Sequence, residues 1–153
     1  MSAAAIETQG LSKHFGGVHA VEDVSLSVPP GQIRGLIGPN GAGKTTLLNL
    51  LSGVARPSDG RVLSNGQDVT GWPLHRMVRE ARVVRTFQTV RLFASMTVLE
   101  NVTVAAGANG RRSAEHARQV LRDLDLGHIL DTAVTELAYG TRRWVEIARA
   151  LVA

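Results

Sequence analysis

Short β-branched runs between Ile6 and Val28, broken at Gly16-Gly17 and ended by Pro29-Pro30-Gly31, predict two antiparallel strands and a tight turn. Ile33 to Ile37 is a compact apolar run carrying Arg34 and bounded by turn residues, which predicts a buried strand. A glycine-rich loop follows at once. Beyond it, Leu47, Leu48, Leu50 and Leu51 predict a buried helix over 45–52, with Gly53 placed to cap it and Pro57 beyond. Asp59-Gly60 reads as a turn, and Asn65-Gly66, flanked by Arg61 to Ser64 and Gln67 to Val69, as a two-residue hairpin loop. A short helix over 73–81 and a strand over 83–87 complete this β-rich part.

After Ala94 the pattern turns helical, over 97–106, 113–126 and 141–152. In the second of these helices Ala117, Val120, Leu121 and Leu124 form an i, i+3, i+4, i+7 stripe behind a Ser113 cap, with Glu115 near the positive helix end. Gly107 to Arg112 is the expected flexible loop. No internal repeat or low-complexity linker interrupts the chain, so a helical subdomain inserted after a β-rich half is the simplest organisation.

The chemistry concentrates in the glycine-rich loop. Gly38-Pro39-Asn40-Gly41-Ala42-Gly43-Lys44-Thr45 fits G-x-x-x-x-G-K-[ST] at every position and stands between an apolar run and a helix, as that motif requires. Glycines let successive N–H groups turn inward, and the positive end of the helix adds to the same anion site. A triphosphate is the natural guest. Lys44 is expected to reach the β and γ phosphates and the Thr45 hydroxyl to coordinate Mg²⁺, so ATP and Mg²⁺ are the expected cofactors.

Composition changes this picture little. The 153 residues suit one domain, and 44% apolar with 20% charged residues is ordinary globular usage, which excludes disordered and fibrous classes. The absence of cysteine excludes disulfides and thiolate metal sites. His14, His19, His75, His116 and His128 lack ligand spacing, and with Trp72 and Trp144 they are read as structural or surface residues. The net charge of +4 is largely local, from Arg76, Arg79, Arg82, Arg85 and Arg91 against Glu80, and reads first as a solvated face. A partner protein comes second and nucleic acid last. The first ten residues hold no Lys or Arg, and no run approaches about 18 apolar residues, so neither a signal peptide nor a membrane span is expected.

The loop alone admits kinases, GTPases and motors. Leu11 to Phe15, the Gly38 to Thr46 loop, Arg85 to Val102 and Leu137 to Leu151 together resemble the ATPase of an ATP-binding cassette (ABC) transporter, from near residue 6 to the last residue. Arg85-Thr86-Phe87-Gln88, Arg91-Leu92-Phe93 and Met96-Thr97-Val98-Leu99-Glu100-Asn101-Val102 resemble the glutamine-loop region of the branched-chain amino acid importers. The resemblance implies an α/β fold: a P-loop NTPase core with an antiparallel β subdomain and an inserted helical subdomain, incomplete at the C-terminus. The implied division is a β-rich nucleotide-binding part over 1–87, and the glutamine loop, helical subdomain and signature helix over 88–153.

It also implies site roles. Gly38, Asn40, Gly41, Ala42, Gly43, Lys44, Thr45 and Thr46 would cradle the nucleotide, Phe15 would stack on adenine, and Gln88 would touch Mg²⁺ or the attacking water. Leu137-Ala138-Tyr139-Gly140-Thr141-Arg142-Arg143 stands where the family has L-S-G-G-Q-Q-R. Tyr139, Gly140 and Thr141 would then face the γ-phosphate held by a second ATPase subunit in a head-to-tail dimer. Ala138 lacks the usual serine hydroxyl, a loss of about 1.5 to 3 kcal/mol for a bond to a charged group. Transmembrane permease subunits are the other implied partners, with the chain on the cytoplasmic face of the membrane. An Asp-Glu strand and a switch histidine would follow past Ala153, and without them little turnover, an unpaired sheet edge and aggregation of this chain are expected. Two alternatives are a non-hydrolysing nucleotide-binding fragment and a soluble DNA-acting relative with salt-sensitive binding through Arg76 to Arg91.

Overall fold

The computed structural model describes residues 3–87, 89–107 and 111–153. They form two compact units, divided between Val83 and Val84.

The first unit is built on strands β1 (Ile6–Phe15), β2 (Val18–Val28), β3 (Asp59–Ser64) and β4 (Gln67–Asp68), hydrogen-bonded antiparallel in the order β2-β1-β3-β4. Gly16-Gly17 closes the first hairpin with Phe15 opposite Val18, as the pattern predicts. Asn65-Gly66 closes the other, both residues at positive φ (48° and 80°), the backbone a two-residue hairpin loop demands. Asp59-Gly60 is a correction: it opens β3 instead of forming a turn. There Gly60 (φ 82°) lies so close to β1 that a Cβ would sit 2.3 Å from the Gly10 carbonyl oxygen. The register shifts at Gly10, so the inward side of β1 passes from Thr8 to Leu11, an odd interval that only a bulge permits.

Helices α1 (Lys44–Leu51) and α2 (Leu74–Arg79) complete the unit's core, where Leu47, Leu50 and Met77 join Leu11, Val21, Val62, Val69 and Ala81. The predicted buried helix is buried on one side only, since Leu48 stays 44% exposed. It ends in a Schellman motif: Val54 N–H reaches the Asn49 carbonyl at 2.9 Å and Gly53 N–H the Leu50 carbonyl at 3.3 Å. Gly53 has φ 74°, and a Cβ there would meet the Trp72 carbonyl oxygen at 2.4 Å. Glycine is therefore required twice over, by conformation and by space.

Two expected strands are absent. Ile33 to Ile37 and Val83 to Phe87 pair with no strand among the described residues, and Ile33 and Ile37 stand 99% and 93% exposed. An apolar run supplies the side chains of a buried strand, but a strand exists only where a neighbour completes its ladder.

The second unit holds α3 (Val98–Ala105), α4 (Arg111–Asp123) and α5 (Tyr139–Val152), with short 3-10 turns at Gly127–Ile129 and Val134–Glu136. Val98, Val102, Ala117, Leu121, Val145, Ala148 and Val152 form its core with Leu126, Val134 and Leu137. Ala117 and Leu121 are fully buried, with Val120 and Leu124 packed beside them, so the predicted stripe is the buried one. The Ser113 cap is a correction. Ser113 lies inside α4, buried, and its hydroxyl donates to the Gly107 carbonyl at 2.9 Å. The expected loop over 107–112 is shorter than predicted: residues 108–110 lie outside the described residues, and Arg111 and Arg112 already belong to α4. α3 opens on a capping box: Thr97 Oγ1 accepts from Glu100 N–H at 3.3 Å, and Glu100 Oε2 from Thr97 N–H at 2.8 Å.

Candidate nucleotide-binding site

In the first unit, Gly38 to Thr46 connects the unpaired 33–37 run to α1. Gly41 and Gly43 take positive φ (84° and 78°), and Gly43 is the N-cap of α1. No side chain caps that end and its first turn holds no acidic residue, so the leading amides of α1 have neither a capping oxygen nor a local carboxylate. Lys44, at the first helical position, turns back over the loop. Its Nζ donates to the Gly38 carbonyl at 2.7 Å and the Pro39 carbonyl at 2.5 Å, using two of its three N–H groups. Thr45 is exposed, Thr46 and Ala42 lie beside it in the same loop-helix junction, and Asn40 is exposed at the tip.

The loop is seated on β2. A Cβ at Gly43 would approach the Ala20 carbonyl oxygen to 2.1 Å, well inside contact distance. Beside it runs a groove of about 360 Å³ walled by Val21, Val24, Leu26, Leu36 and Leu47 on one side and reaching His19, Glu22, Gly43 and Lys44 on the other. The aliphatic walls offer nothing to an anion, and the donors of this groove are on its loop side, at Gly43 and Lys44. Phe15 ends β1 with its ring 55% exposed and the Lys13 ammonium 5.0 Å from the ring centroid, and both are available to a planar ligand.

In the second unit, α5 starts at Tyr139, two residues before the expected Thr141. Ala138 is the N-cap and supplies no side-chain bond, as an alanine must. Tyr139 is 65% exposed, followed by Gly140 and Thr141 in the same first turn. Arg142 stiffens this start, its Nε donating to the Leu137 carbonyl at 2.9 Å and its Nη2 to the Thr135 carbonyl at 2.8 Å. Gln88 lies outside the described residues.

The ABC transporter family profile matches residues 21–153, from within β2 through the loop to the end of α5. The chain belongs to the ABC transporter family. It is 39% identical, over 99% of its own length and 66% of the relative's, to the high-affinity branched-chain amino acid transport ATP-binding protein BraF of Pseudomonas aeruginosa. It is 37% identical, over 95% of its length and 42% of the relative's, to the sulfate/thiosulfate import ATP-binding protein CysA of Acinetobacter baylyi. Among solved structures it is similar to the ADP conformation of MJ1267, an ATP-binding cassette of an ABC transporter. There the TM-score is 0.87 and the identity 34%, covering 99% of this chain and 65% of that one. The chain thus spans about two fifths to two thirds of the length of these relatives.

Several polar residues of this cassette carry structural weight that pattern reading did not assign. Asn101 is fully buried in the otherwise apolar face of α3. Its Oδ1 accepts from Phe93 N–H at 2.8 Å, and its Nδ2 faces the carbonyls of Phe93 (3.1 Å), Met96 (3.3 Å) and Thr97 (3.0 Å). On α5, Glu146 is buried and pairs with Arg143 at 3.0 Å, while Arg143 Nη1 also donates to the Phe87 carbonyl at 2.7 Å. Arg149 Nη1 donates to the Arg91 carbonyl, and its guanidinium lies 5.2 Å from the Phe93 ring centroid. Burial holds the Arg149 pKa below the usual arginine value, opposed by the Glu146 carboxylate. A signal for Asn101 was present, since a lone amide in an apolar helical run has to be satisfied internally; for the arginines the i, i+3 spacing to Glu146 was the only hint. No helix among the described residues is long and apolar enough to cross a membrane.

Proposed function

We propose that the chain is the nucleotide-binding part of an energy-coupling ATPase subunit, serving an importer of branched-chain amino acids or similar solutes. One observation carries the reading: an uncapped helix start, two left-handed glycines and the Lys44 ammonium converge on one loop that offers donors and no carboxylate. In the proposal Gly38, Asn40, Gly41, Ala42 and Gly43 wrap the β-phosphate, and Lys44 exchanges the two loop carbonyls for phosphate oxygens. Thr45 and Thr46 hydroxyls stand at the metal side. No group of three or more His, Cys, Asp or Glu able to hold a metal occurs among the described residues. Mg²⁺ would therefore enter on the phosphates and meet the Thr45 hydroxyl, consistent with its preference for few protein ligands.

Phe15 offers a stacking face for the base, a contact without base-specific hydrogen bonds. Gln88 is proposed to meet Mg²⁺ or the attacking water, and Tyr139, Gly140 and Thr141 to meet the γ-phosphate of a second subunit. Cytoplasmic placement against permease subunits follows from the same reading. The branched-chain assignment rests on the likeness to BraF and on the Arg85 to Val102 segment, with the likeness to CysA marking the competing solute class.

The test is a titration of the chain with a fluorescent ATP analogue, beside Lys44→Ala. Losing a charge-assisted contact of about 1.5 to 3 kcal/mol predicts roughly 10- to 150-fold weaker binding. Equal affinity of the two proteins would place the nucleotide elsewhere.

A further inference from the structure

Residues 82–87 and 89–93 belong to no helix or strand, so their backbone polar groups need partners from outside a ladder. Two of these partners come from one helix. Arg143 and Arg149 on α5 each send a guanidinium N–H to a carbonyl of this segment, Phe87 and Arg91 respectively, one on either side of position 88. The buried Glu146, three residues from each arginine, holds Arg143 at 3.0 Å. Arg149 has its Nε enclosed with no hydrogen-bond partner among the described residues, and burial lowers its pKa. Enclosing an arginine at that cost makes sense where its fork holds something that surface residues could not. From the other end, Asn101 fixes Phe93 by both its N–H and its carbonyl.

We infer that Arg143 and Arg149, with Glu146, form a clasp that positions the glutamine-loop segment by gripping its backbone. They are positioning residues, holding the Phe87 and Arg91 carbonyls of the described backbone on either side of position 88. A backbone grip tolerates any side chains in the segment but fixes where the chain runs, which is what a residue that must meet a metal-bound water needs. The inference rests on the proposed role of Gln88, while the clasp itself is open to measurement without nucleotide.

The chain contains no cysteine, so Thr89→Cys provides a single thiol for a nitroxide label beside position 88. Arg118→Cys, exposed on α4, provides the control label. Adding Arg149→Ala or Arg143→Ala should shorten the rotational correlation time at position 89 by about twofold or more, since a segment freed from its anchors moves on the nanosecond scale. The label at position 118 should not change. Arg149→Lys, which keeps a cationic donor, should restore part of the slow component; Glu146→Gln, which keeps volume and removes the charge, should loosen the segment less than Arg143→Ala. An unchanged spectrum at position 89 in both alanine variants overturns the clasp. Equal loosening at both labels overturns it too, because the arginines would then serve only the stability of the unit. Nucleotide affinity is measured separately with Lys44→Ala, so failure of the ATP reading and failure of the clasp are told apart.

Discussion

Replacing Asn101 with alanine tests how the second unit is held together. The amide is fully buried and faces four backbone groups. The three carbonyls each keep a second donor in the variant: Met96 N–H on Phe93, Val134 N–H on Met96, and the Asn101 N–H itself on Thr97. The Phe93 N–H loses the acceptor that Asn101 Oδ1 provides at a partly buried position, a cost of up to about 1 to 3 kcal/mol. The amide's own donated bonds add roughly 0.5 to 1.5 kcal/mol each, with at most two well formed at once because an amide has two N–H groups. The sum is about 2 to 6 kcal/mol, a large share of the roughly 5 to 15 kcal/mol that holds a typical domain together. Urea unfolding followed by helical circular dichroism should show the midpoint falling with an unchanged slope. Hydrogen exchange at Phe93 should accelerate more than at Val98 or Val102 in the core. Asn101→Asp should cost more, since it turns a carboxylate toward three carbonyl oxygens. If Asn101→Ala shifts stability by less than about 0.5 kcal/mol, the amide is not the organiser of the Phe93 to Thr97 segment and the reasoning fails.

Gly43→Ala should unseat the phosphate loop from β2, because its methyl would lie 2.1 Å from the Ala20 carbonyl oxygen and φ 78° already disfavours alanine by about 1 to 2 kcal/mol. ATP-analogue titration and thermal unfolding should both report the loss. Gly53→Ala should destabilise the first unit through φ 74° and the 2.4 Å approach to the Trp72 carbonyl oxygen, while an exposed control such as Asn40→Ala leaves the melting temperature in place. The Asp68 carboxyl is held below its ordinary pKa by the Thr70 hydroxyl and then by the Thr70 N–H, 2.9 Å from Oδ1. A depressed carboxyl pKa stabilises the fold above the unfolded value, and that contribution is lost as pH falls through the folded one. Asp68→Asn should therefore flatten stability against pH below about pH 4, and an identical pH slope in both proteins would count against the contact.

The local devices of this cassette were legible along the chain because each depends on neighbours in sequence. Gly16-Gly17 and Asn65-Gly66 make hairpins from their own backbone freedom, Gly53 ends α1 by a motif closed within six residues, and Gly38 to Thr45 is a loop whose donors are its own amides. The stripe Ala117, Val120, Leu121, Leu124 buries as its spacing requires. Asp59-Gly60 misled because the positive φ that suits a turn serves equally in a strand pressed against Gly10, and only the neighbouring strand chooses between them. Ser113 misled because a capping residue and a buried hydroxyl look alike until Gly107 is seen across from it.

Sequence alone thus determined the glycine-rich loop at the start of α1, the helix spacing and the family likeness, all short-range properties of the chain. Tertiary structure decided which apolar runs find a ladder, leaving Ile33 and Ile37 in solvent. It also decided that Asn101, Arg143 and Arg149 bind carbonyls 8, 56 and 58 residues away. Ladders and buried side-chain bonds are contracts between two distant segments, and a pattern read along one segment contains only half of each.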